Sequence, residues 1–96
     1  MHDWPTPAEM GVMQHLQTMP RGAYGLQIVA KSRGAVNRGS VYVLLGRLEE
    51  KGFVRVIRPK ADPDYPGHPR PMYQLTADGS RVLAAAGAIG LKFAGA

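Results

Sequence analysis

The chain has 96 residues, 45% hydrophobic and 20% charged, with twelve Lys and Arg against seven Asp and Glu for a net charge of +5. That length holds one small domain with one modest core, which excludes a large enzyme. The absence of cysteine removes disulfides, thiolate metal sites and cysteine nucleophiles, and no apolar run reaches the ~18 residues of a membrane span. The opening Met-His-Asp-Trp-Pro lacks the basic-then-apolar order of a signal peptide, so the expected location is cytoplasmic.

The first predicted helix starts at Thr6-Pro7-Ala8-Glu9. The threonine hydroxyl accepts from an orphan N–H, the glutamate reaches back to the cap, and proline occupies the first helical position. Met10, Val12, Met13 and Leu16 supply an apolar arc, and Met19-Pro20-Arg21-Gly22 stops the helix. A second short helix fits roughly residues 23–33, with Tyr24, Ile28 and Val29 facing inward, and Gly34 ends it. For Tyr24, burial is the leading reading and a nucleic-acid contact the second.

Asn37 is the expected cap of a third helix. Val41, Leu44, Leu45 and Leu48 fall at i, i+3, i+4 and i+7, the spacing of one buried face, and Lys51-Gly52 closes the last turn. The period then changes. Phe53-Val54-Arg55-Val56-Ile57-Arg58 is short and rich in β-branched residues, as a strand requires. Residues 59–71 contain five of the eight prolines and read as a stiff loop, after which Met72–Leu75 pairs back antiparallel. A final helix begins at Thr76 and enters an alanine-rich tail weakened by Gly87 and Gly90. Three helices, a two-stranded wing and a C-terminal helix define an α+β winged helix-turn-helix, a single domain over residues 1–96 with its last helix over 76–93.

Charge is concentrated rather than spread. Residues 21–60 carry nine basic side chains and only Glu49 and Glu50 as acids, whereas the rest of the chain has three bases and five acids. A focused positive field of this kind suits a polyanion. On the face of the third helix opposite its apolar stripe lie Gly39, Ser40, Val43, Gly46 and Arg47. The small residues allow the backbone to approach a major-groove floor, Ser40 can bond a base edge or phosphate, and Val43 can touch a thymine methyl. Arg47 is the one long donor there, and Arg38 beside the helix start favours a phosphate. The competing reading makes Gly46 a packing residue, Arg47 a solvated arginine and Ser40 a local cap. Lys51, Arg58, Lys60 and Arg70 add positive charge at the helix end and the wing stems. Asp62 and Asp64 at the wing tip repel phosphate, so the stems rather than the tip are expected at the DNA backbone.

Several stretches resemble the PadR family of bacterial transcriptional regulators: Thr-Pro-Ala-Glu at 6–9, Tyr-Gly-Leu-Gln-Ile at 24–28, and Arg-Gly-Ser-Val-Tyr at 38–42. Leu45, then Arg47-Leu48-Glu49-Glu50-Lys51-Gly52, and finally Tyr-Gln-Leu-Thr-Ala-Asp-Gly at 73–79 continue the match in order. The resemblance implies a homodimeric winged helix that binds double-stranded DNA, usually as a repressor. It suggests a phosphate contact for Tyr42, for which burial against the second helix is the alternative. The chain departs from the family pattern at Val43, where proline is common, at Gly46 within the third helix, and in its short, glycine-broken last helix. Together these readings give a regulator that inserts residues 37–51 into an inverted-repeat operator. Met10, Met13, Leu16, Val82, Leu83 and Ile89 are the expected dimer surface. The rival readings are a winged helix that docks proteins instead of DNA, and a structured-RNA binder. His2, His15 and His68 lie in three separate segments, and no nucleophile elbow, carboxylate pair or phosphate loop is visible. No enzyme activity, cofactor, metal or small-molecule ligand is therefore expected.

Overall fold

The computed structural model describes residues 4–57 and 71–88. Within them the order is α1 (Pro7–Gln17), α2 (Gly25–Lys31), α3 (Val41–Glu50), β1 (Val54–Ile57), β2 (Met72–Leu75) and α4 (Ala77–Ala88). The strands pair antiparallel, with Val54 opposite Leu75 and Ile57 opposite Met72. One residue bridges to β2 outside this strand pair: Ala23 exchanges two backbone hydrogen bonds with Tyr73, at 2.9 and 2.8 Å. Ala23 is thus extended, and α2 begins two residues later than the sequence pattern predicts. Gly22, at φ +99°, makes the bend that turns the chain out of α1 and into this bridge.

The α1 capping box forms as expected. Thr6 Oγ1 accepts from the Glu9 N–H at 3.2 Å, and Glu9 Oε1 accepts from the Thr6 N–H at 2.9 Å. Glu9 is also fully buried, and the same oxygen is 2.6 Å from Lys51 Nζ. Thr76 caps α4 by accepting from the Gly79 N–H at 3.0 Å, and its hydroxyl donates to the Gly52 carbonyl at 2.7 Å. That pair of bonds ties the end of the α3 turn to the start of α4.

The core is built from Val12, Met13 and Leu16 of α1, Ile28 of α2, Val41, Leu45 and Leu48 of α3, Val54 of β1 and Leu83 of α4. The i, i+3, i+4, i+7 reading of α3 survives with one gradation, since Leu44 is only partly buried. Four members of the expected dimer surface need correction. Met10, Met13, Leu16 and Leu83 are at most 5% exposed within the single chain, so they pack internally and are not available to a second copy. The reason is topological: α1 packs against α2, α3, β2 and α4, which together enclose its apolar arc. Val82 keeps partial exposure, and Ile89 lies outside the described residues.

Candidate nucleic-acid interface

The turn leading into α3 is held by short polar bonds. Ser32 Oγ donates to the Val29 carbonyl at 2.8 Å and accepts from the buried Val36 N–H at 2.9 Å. Arg33 takes a left-handed conformation at φ +53°, followed by Gly34 at φ +90°, which reverses the chain between the two helices. Buried Val36 anchors the far side of the turn. Asn37 then starts the next helical turn: its Oδ1 accepts from the Gly39 N–H at 2.6 Å, and its carbonyl accepts from Ser40 and Val41 at 3.1 and 2.9 Å. The N-cap of α3 is nevertheless Ser40 rather than the expected Asn37, and the Ser40 hydroxyl makes no capping bond to the helix. The local-cap reading of Ser40 is thereby removed.

Rotation of about 100° per residue sets Val43, Gly46, Arg47 and Glu50 opposite the buried Val41, Leu45 and Leu48. Arg38, Gly39, Val43 and Arg47 are exposed and Ser40 is half-buried, so the small face with its single long donor stands toward solvent. Gly46 settles a second alternative. A Cβ built there meets nothing within 4 Å, so no neighbouring element requires the glycine for packing.

Tyr42 takes the position predicted against the second helix, but only in part. Its ring lies against Gly25 at the start of α2, close enough that a Cβ on Gly25 would come within 2.7 Å of the ring, yet Tyr42 remains 49% exposed. Gly25, itself buried, is therefore a support for this surface that periodicity did not single out, because the need for it arises only when α3 crosses α2. Lys51 is repositioned by the structure. Its ammonium turns inward to Glu9 and its side chain is only 18% exposed, so its charge is engaged inside the fold rather than offered to a groove. Arg21, Lys31, Arg33 and Arg55 are exposed and extend the positive surface beyond the residues singled out from the sequence. Arg55 Nε donates to Gln74 Oε1 at 2.7 Å, which steadies it on the strand pair. Arg58, Lys60 and Arg70, with Asp62 and Asp64, lie outside the described residues.

Behind α3, a cavity of about 110 Å³ is lined by Gly11 and His15 of α1, Val36 of the turn, and Ser40 and Leu44. Desolvation at this site, and secondarily the Lys31 charge, hold the His15 pKa below its usual 6.5. No group of three or more His, Cys, Asp or Glu is placed to hold a metal among the described residues, and none of the described helices is long and apolar enough to cross a membrane.

A helix pair joined by a tight turn, with a solvent-facing third helix followed by an antiparallel hairpin, is a winged helix-turn-helix domain. The chain belongs to the PadR-like family of transcriptional regulators, whose model matches residues 12–85. Among solved structures, a PadR family transcription regulator from hypervirulent Clostridium difficile superposes with a TM-score of 0.69 at 21% identity, over 88% of this chain and 86% of that one. A PadR family regulator from Eggerthella lenta gives 0.65 at 27% identity, over 81% and 69%. The PcaV transcriptional regulator from Streptomyces coelicolor, solved with its natural ligand, gives 0.69 at 24% identity over 86% of this chain and 53% of that chain. This chain thus spans about half the length of PcaV. No curated protein matches it.

Proposed function

We propose that this protein is a transcriptional repressor that binds double-stranded DNA by laying α3 in the major groove. The observation that carries this reading is the outward face of α3. It combines exposed Val43 and Arg47 with a mid-helix glycine whose side-chain space is empty, a combination that folding alone does not require. Gly39 and Gly46 bring the backbone close to base edges, Arg47 pairs with a guanine or a phosphate, and Arg38 and Ser40 meet the phosphates at the start of the helix. The Tyr42 hydroxyl, held at the start of α2, meets the neighbouring phosphate. Exposed arginines of the 21–60 segment supply the general, salt-dependent affinity.

Pairing of two copies on an inverted repeat belongs to the same proposal and rests on the family resemblance. With Met10, Met13, Leu16 and Leu83 internal, the pairing surface falls to Val82 and the outer side of α4. Sedimentation equilibrium tests it: a twofold mass at tens of micromolar supports pairing, and monomer mass throughout that range refutes it. DNA binding itself is tested by fluorescence anisotropy on duplex from the protein's own upstream region beside a scrambled duplex. Arg47→Ala should abolish the preference for the native sequence.

A further inference from the structure

Four large apolar side chains are exposed among the described residues: Trp4, Leu26, Tyr42 and Val43. Leu26 and Tyr42 edge the α2–α3 crossing, where the Tyr42 ring covers the residue next to Leu26. Val43 differs in being central to the outward face of α3, where it is 52% exposed. Its neighbours on that face are Gly39 and Ser40 before it and Gly46 and Arg47 after it, so a glycine lies on each side. A Cβ at Gly46 would have nothing within 4 Å, and one at Gly39 would meet only the Asn37 side chain. Val43 is therefore the one large aliphatic side chain on the outward face of α3, with Tyr42 on its flank and the two glycines leaving the backbone beside it uncovered.

An isopropyl group has no hydrogen bond to offer. Of the groups displayed on the major-groove edges of the four base pairs, the only apolar one is the C5-methyl of thymine. We propose that Val43 is a specificity-determining residue that reads this methyl, so that each operator half-site carries a thymine beneath the first turns of α3. Arg47, one turn further along, then fixes the helix against a guanine or phosphate and sets the position at which the methyl is read. This inference rests on the DNA-binding reading above and deepens it. Burying a methyl against a close-lying helix then adds to the discrimination that depends on Arg47.

The test begins with sites selected by the full chain from a random duplex library. The best site is then resynthesised with deoxyuridine replacing thymine, first throughout and then one position at a time. The substitution removes only the C5-methyl and keeps the hydrogen-bonding pattern of the base pair. Affinity is expected to fall about fourfold at one thymine per half-site, the value of one buried methyl group. Val43→Ala should weaken binding to the thymine duplex while making it indifferent to that uracil. Because Val43 is exposed, the variant should keep the parent's melting temperature, which is measured in parallel. Specific binding that is insensitive to uracil, or equally sensitive in Val43→Ala, would overturn the inference while leaving the DNA-binding reading intact. Failure to select any duplex would overturn both.

Discussion

Gly46→Ala is expected to raise stability and lower DNA affinity, a pair of opposite signs that few single substitutions produce. Gly46 is the sixth of ten residues in α3, well inside the helix, and its φ is not in the left-handed region. Alanine in a helix interior is favoured over glycine by about 1 kcal/mol, because glycine loses more backbone freedom on folding. With no atom beyond the helix's own backbone and the adjoining residues within 4 Å of the new Cβ, no steric term offsets that gain. For a domain of this size, about 1 kcal/mol corresponds to a rise of roughly 4–8 °C in melting temperature, measurable by circular dichroism. The same methyl stands on the face assigned to the groove and separates the backbone from the bases, so anisotropy should show weaker binding to a selected duplex. A fall in melting temperature would refute the claim that the position is free of packing. A higher melting temperature with unchanged DNA affinity would refute the claim that the face enters a groove.

Gly79→Ala should do the reverse. Its Cβ would overlap the Phe53 carbonyl oxygen and come within 2.9 Å of Leu75 Cδ1, so overpacking of about 2–3 kcal/mol outweighs the helical gain and the melting temperature falls. Lys51→Met leaves the Glu9 carboxylate buried and unpaired, which should cost about 3 kcal/mol in urea denaturation. Adding Glu9→Gln should recover most of that loss, and the double variant should bind DNA with the parent's salt dependence; a reduced salt slope would return Lys51 to the interface. His15 has a lowered folded pKa, so it releases its proton on folding and its contribution to stability is present above pH 6.5 and lost as pH falls through the folded value. The melting temperature of His15→Gln, compared with the parent from pH 5 to 7.5, should therefore show a weaker decline on acidification; parallel curves would contradict this.

The parts of the fold that were legible in the sequence are those set by local chemistry. The Thr6–Glu9 capping box, the Val41–Leu48 periodicity and the Thr76 cap each depend on residues within one or two turns of one another, and each appears where the pattern places it. What escaped the pattern depends on contacts distant in sequence. An apolar arc such as Met10, Met13 and Leu16 announces that it will be buried but not by what. Only the arrangement of four surrounding elements shows that the chain itself encloses it. Lys51 looks like an ordinary C-terminal cation until Glu9, 42 residues earlier, is placed beside it. Ala23 looks helical because its sheet partner, Tyr73, lies 50 residues away. At the candidate site the residue types were readable and their accessibility was not: the empty space around Gly46 and the seat of Tyr42 on Gly25 both require the helix crossing.

The central claim is that the outward face of α3 binds DNA with sequence preference. Its most direct test is anisotropy of a labelled upstream duplex and its scrambled counterpart across a salt series, with parent and Arg47→Ala proteins. Tighter binding to the native duplex is expected, with that preference lost in Arg47→Ala and affinity for both duplexes falling steeply with salt. Equal binding to both duplexes by the parent, or no binding even at low salt, would contradict it.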